Sequence, residues 1–181
     1  EPMGVYSSMD SLSMFVKIFL NNLKVMLFAV ALGLIPVFGV MGSLIYHGLM
    51  IGCFHALFTR YNMLETSLMT VWIHGAFEIS CLVVCAAAGL HAGLSYINPG
   101  TYPRTTAFAM AVRRSVNVAI GLIPFILVAA VLEGWVTRTP SMNTALNVAI
   151  IVSSFAFIWG YLIILPSFFS ASGAHHVRTT N

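Results

Sequence analysis

The residues best suited to chemistry in this chain are His74 and Glu78, set in the run His74-Gly75-Ala76-Phe77-Glu78. At i and i+4 an imidazole and a carboxylate share one face of a helix, and Cys81, Cys85 and Gly89 continue that face as a small, weakly polar stripe. Ionisable groups at membrane depth are costly, so a pair kept there faces other helices or a water-filled cavity. It would suit a metal site, a proton relay or an ion path; the structural alternative is a hydrogen-bonded clamp between helices. A catalytic metal site needs at least one further ligand, for which His47, His55, His91 and Glu133 are the candidates. His-Glu-x-x-His is absent, as are Gly-x-Ser-x-Gly and a Gly-rich phosphate loop. We therefore expect no metal, no cofactor and no enzymatic activity.

The elements that position these residues must be membrane helices. Of 181 residues, 59% are hydrophobic and 7% charged, where a soluble domain has about 25% charged, and the mean hydropathy is +0.94. That is too little charge to coat a globule in water. Each crossing takes about 20 residues, which leaves room for about four to six crossings and no sizeable soluble domain. The net charge of +3 is scattered, without the clustered basic face that would bind nucleic acid. Cys53, Cys81 and Cys85 all lie in apolar stretches and suit small core residues better than a disulfide framework. The chain opens Glu1-Pro2-Met3 without a cleavable signal, and is expected to continue a longer upstream region.

Charges and turn residues divide the chain into a polar lead-in (1–13), a transmembrane domain (14–170) and a polar tail (171–181) carrying His175, His176 and Arg178. A first helix starts near Met14, with Lys17 and Lys24 on one face reaching toward headgroups. From Val25 to Thr59 nothing is charged, and Pro36, Gly39, Gly42 and Ser43 near the middle suit two helices joined by a tight turn. Arg60, Tyr61, Asn62 and Glu65 make the next break. A third segment, about 66–97, ends at Asn98-Pro99-Gly100. A fourth runs from Ser115 to Trp135 and closes at Arg138-Thr139-Pro140, and a last spans about Ala145 to Phe169. The fold class is thus an all-α integral membrane bundle of about five helical segments.

The third segment admits two arrangements. If it crosses once, Lys17, Lys24, Arg60 and Arg138 share one side and Arg104, Arg113, Arg114 and Arg178 the other, with no bias. If it is re-entrant or split, all but Arg138 share the cytoplasmic side, so the positive-inside rule favours the second arrangement. Val30-Ala31-Leu32-Gly33-Leu34-Ile35-Pro36 matches Val118-Ala119-Ile120-Gly121-Leu122-Ile123-Pro124, a faint internal repeat whose shared prolines, Pro36 and Pro124, would bend their helices. The pairs Ala29 and Gly33, Gly48 and Gly52, and Gly89 and Gly93 have the spacing that permits close helix approach within the bundle. Asn22, with Asn21 beside it, and Glu133, beside a Trp that favours the headgroup level, complete an expected polar core of Asn22, His47, His74, Glu78 and Glu133.

The segments Phe19-Leu20-Asn21-Asn22-Leu23-Lys24-Val25, Tyr46-His47-Gly48-Leu49-Met50-Ile51-Gly52, His74-Gly75-Ala76-Phe77-Glu78-Ile79-Ser80, Ala88-Gly89-Leu90 and Leu132-Glu133-Gly134-Trp135-Val136-Thr137, in this order, resemble the stage II sporulation protein M family. The likeness covers about Phe15 to Arg138. Glu1 to Tyr6 and the Pro99-Gly100-Thr101-Tyr102 turn resemble longer members that carry a cytoplasmic region upstream. His47 departs from the pattern, which has Asn before the Gly in many members, and adds a titratable group. The resemblance implies a multi-pass membrane protein; the namesake anchors cell-wall hydrolases during forespore engulfment, while many relatives occur in organisms that make no spores.

Together these features predict a non-enzymatic scaffold or anchor in the cytoplasmic membrane. Its partners would be the lipid bilayer, other membrane or envelope proteins, or a second copy of itself, acting in envelope or cell-wall remodelling. The rival expectation is a transporter or channel component that uses the His74/Glu78 pair.

Overall fold

The computed structural model describes residues 11–137 and 143–178; of Ser11 and of 165–178 it describes the backbone only. The lead-in up to residue 10, Arg138-Thr139-Pro140 and the end of the tail lie outside the described residues, as do the side chains of His175, His176 and Arg178. What is described is all-helical: α1 (Ser11–Gly33), α2 (Phe38–Thr59), α3 (Leu64–Ile97), α4 (Arg104–Val131, continued by a π-helical turn Leu132–Val136) and α5 (Thr144–Arg178). Five helices are long and apolar enough to cross a membrane. The protein is a multi-pass membrane protein whose solvent is the bilayer.

Helix α3 is the axis of the bundle and packs against all four others. It is one unbroken helix of 34 residues, about 50 Å long against a hydrocarbon core of about 30 Å. The re-entrant or split arrangement favoured by the charge count is therefore not the one formed. The reason is local: between Leu64 and Ile97 there is no proline, and two of its three glycines, Gly89 and Gly93, are taken up in packing against α1. Eight basic residues were too few to outweigh that continuity. Asn98-Pro99-Gly100 then ends the helix as expected, with Gly100 at φ 63°, and Pro103 caps α4 in extended backbone.

Close approach of α1 to α3 rests on glycine. A Cβ on Gly33 would lie 2.6 Å from the Gly89 backbone, one on Gly89 would meet the Val30 carbonyl, and one on Gly93 would lie 2.8 Å from the Leu34 carbonyl. With Ala29 also buried, these residues form a small-residue crossing in which van der Waals packing, rather than water expulsion, holds the helices. Gly48 and Gly52 share the spacing but not the environment, since among the described residues nothing lies within 4 Å of a Cβ at either. Their expected role inside the bundle is not met, because α2 turns that face outward.

The two proline heptads also part company. Pro36 lies after α1 has ended, in a turn where Phe38 N–H donates to the Pro36 carbonyl at 2.8 Å around Val37 at φ 66° and ψ −62°, a γ-turn. The residue before proline disfavours helix, and Gly39 lets the returning chain sit against the Leu32 carbonyl, so Pro36 terminates a helix instead of bending one. Pro124, followed by Phe125-Ile126-Leu127-Val128, lies inside α4, where its missing N–H leaves the Ile120 carbonyl without an in-helix donor.

The core is built of Met26 and Ala29 from α1, Phe77, Cys81, Cys85 and Ala86 from α3, Ala119, Leu122, Phe125, Ile126 and Ala129 from α4 and Ile158 from α5. Cys81 and Cys85 are small core residues as expected, whereas Cys53 is exposed on α2. Phe125 fixes α5, with ring centroids 5.0 Å from Tyr161 and 6.1 Å from Phe157.

Gly89→Val should lower stability by about 1–3 kcal/mol by overpacking, read as a fall in melting temperature in mild detergent. Gly48→Val should leave the melting temperature of the single chain unchanged.

Candidate functional site

The first polar link is from α1. The Asn22 amide donates to Glu78 Oε1. Asn21, one residue earlier, is exposed, as the helical period requires when its neighbour faces inward. Four residues before Glu78 on α3 comes His74, whose Nε2 stands 4.0 Å from Glu133 Oε2. One ligand atom each from His74, Glu78 and Glu133 lie within 4.8 Å of one another. Three helical elements thus meet through four polar side chains, while the flanking Ile73, Ala76 and Phe77 are buried hydrophobics.

Glu133 reaches this group because the helix changes pitch there. Thr137 N–H donates to the Leu132 carbonyl at 3.0 Å, five residues back, and the Thr137 hydroxyl donates to the same oxygen at 2.9 Å. One extra residue per turn rotates Glu133 relative to the α4 face that precedes it, and such wide turns occur at functional sites. Gly134 is buried against Phe15 of α1, 3.9 Å from where its Cβ would stand, and Trp135 packs its ring 5.4 Å from that of Phe15.

His74 keeps one unsatisfied atom: Nδ1 is buried without a hydrogen-bond partner among the described residues. A buried polar atom left unpaired costs about 1–3 kcal/mol, so the ring is poised to accept a partner. The side chain of His74 is 12% exposed and that of Glu133 25%, so Glu133 is the less buried of the two.

Of the five residues expected to form the polar core, the structure gathers Asn22, His74, Glu78 and Glu133 and leaves out His47. The His47 ring turns back on its own helix, Nδ1 2.8 Å from the Ser43 carbonyl, because α2 meets only α1 and α3 among the described residues and carries His47 away from the cluster. Of the candidate additional ligands, Glu133 joins and His47, His55 and His91 do not. Three polar links between helices among the described residues go beyond the sequence reading: His55 of α2 with Ser67 of α3, the Ser115 hydroxyl of α4 donating to the Ala88 carbonyl of α3 at 2.7 Å, and the Thr144 hydroxyl of α5 donating to Glu65 of α3 at 3.5 Å. The available signal was a hydroxyl or imidazole in an otherwise apolar span, where such groups bond across helices.

Comparison with known proteins adds a single finding. The family model Stage II sporulation protein M matches residues 2–138, more than half of the chain. The chain belongs to the SpoIIM family. No curated protein and no solved structure matches. Within this family member, the matched region takes in α1 to α4 and the π-helical turn, and hence all four residues of the cluster; α5 lies beyond it.

Removing a member of the cluster should be costlier than removing His47. His74→Ala and Glu133→Ala are each expected to lower stability by about 1–3 kcal/mol, and His47→Ala by less than about 0.5 kcal/mol, measured side by side by thermal melting in one detergent.

Proposed function

We propose that this SpoIIM-family protein is a non-enzymatic scaffold of the cytoplasmic membrane that holds the transmembrane helix of an envelope or cell-wall-remodelling protein against α2. The observation that carries this reading is the outward face of α2. Gly48 and Gly52 have open space where a side chain would stand, and Ala56 is exposed one further step of four residues along. Glycine weakens a helix by about 1 kcal/mol relative to alanine and gains nothing against lipid. The same spacing against a second helix permits backbone contact, as Gly33 and Gly89 show inside the bundle. Meanwhile the polar cluster fixes α1, α3 and α4 as a rigid support for α2.

A second reading, a transporter or channel component, is favoured by one observation: three ionisable side chains meet inside membrane-spanning segments. It requires flux through proteoliposomes that Glu78→Gln abolishes without loss of fold. The apolar groove lined by Leu20, Leu23, Lys24, Leu27, Phe28 and Ala31 contains no residue of the cluster, so it gives that reading no support.

The scaffold is tested by affinity purification of the full-length protein in mild detergent, comparing wild type with Gly48→Leu/Gly52→Leu. The expected outcome is a stoichiometric membrane-protein companion lost at least tenfold in the double variant, with an unchanged melting temperature. Equal recovery from both, or no companion with wild type, contradicts the reading.

A further inference from the structure

We propose that His74, Glu78 and Glu133 form a binding site for one divalent transition-metal cation, of the Zn2+ or Mn2+ class, between α3 and the π-helical turn. The inference stands apart from the scaffold reading and rests on the donor set. One imidazole nitrogen and two carboxylate oxygens lie within 4.8 Å of one another. A mixed nitrogen and oxygen set of this kind suits zinc, manganese or ferrous iron, whereas calcium and magnesium prefer oxygen alone. Three protein ligands leave a fourth position open, the arrangement of a site that also takes water or a further group.

Charge points the same way. Two carboxylates approach each other among apolar helices, and neither has a Lys or Arg ion partner among the described residues; His74 is the basic group beside them. A single divalent cation cancels both negative charges at once. His74 presents Nε2 to the Glu133 carboxylate, the nitrogen that an ion between them would take. Around that centre the supporting contacts are in place. Asn22 grips one oxygen of Glu78 and leaves the other to an ion, the kind of outer contact that orients a metal ligand. The π-helical turn aims Glu133, and the bond from Thr137 to Leu132 holds that turn.

The geometry requires a small closure. Ligands on an ion with bonds of 2.0–2.2 Å stand about 3.3 Å apart in a tetrahedron, while the His74 to Glu133 separation is 4.0 Å. The three ligand atoms as a set lie within 4.8 Å, so binding would draw them together by rotation of the carboxylates about their soft terminal torsions.

The test uses the full-length protein in lipid nanodiscs, freed of metal by chelator and then dialysed against Zn2+ or Mn2+ with elemental analysis of the bound metal. We expect one equivalent of zinc per chain above empty nanodiscs, lost in His74→Gln/Glu78→Gln/Glu133→Gln and kept in His175→Ala/His176→Ala. X-ray absorption of the zinc-loaded wild type should give nitrogen and oxygen ligands at about 2.0–2.2 Å and no sulfur; this decides the matter even if the triple variant fails to fold. No zinc above background, equal uptake by a folded triple variant, or sulfur ligation from Cys81 and Cys85 would each overturn the proposal.

Discussion

A carboxylate placed among membrane helices must find its hydrogen-bond donors and counter-charges in the protein, because the hydrocarbon offers neither. Glu78 imposes that requirement on this fold. Its donor, Asn22, comes from α1, and the nearby His74 turns to Glu133 at the end of α4. Satisfying one side chain therefore sets the rotation of three helices. The glycine crossing of Gly33 on Gly89 and Gly93 sets the distance between α1 and α3. With orientation and distance both fixed, α3 becomes an axis on which α2 and α5 are laid as outer members, α5 through the aromatic contacts of Phe125.

Much of this was legible in the sequence, for definite reasons. Polar residues in apolar runs stand out, so Asn22, His74, Glu78 and Glu133 could be picked without coordinates. The segment count followed from hydropathy, and the order of short motifs was enough to place the chain in its family. Spacing within one helix, however, says nothing about partners on another. The i and i+4 spacing of His74 and Glu78 placed the two on one face without naming their partners: the hydrogen bond of Glu78 goes to Asn22, and His74 Nε2 approaches Glu133 at 4.0 Å. The π-helical turn that aims Glu133 leaves no mark in the hydrophobic period.

Other limits have the same origin. Gly89 and Gly48 both sit in small-residue pairs, yet one meets a backbone and the other open space, a difference of tertiary context. Pro36 and Pro124 end matching heptads, but the glycine at 39 lets the chain fold back after the first while apolar helix formers carry the second onward. The charge count misjudged α3 because it weighed side chains near the ends of helices and ignored the uninterrupted helical stretch between them.

The central claim is that Asn22 and Glu78 are joined across α1 and α3 and hold the bundle in register. A double-mutant cycle of Asn22→Ala and Glu78→Ala, with unfolding measured by steric trapping in bilayer-like discs, tests it most directly. A coupling energy of about 0.6 kcal/mol is predicted, the average for polar contacts between membrane helices, whose maximum is about 1.7 kcal/mol. Additive effects, with coupling indistinguishable from zero, would contradict the account.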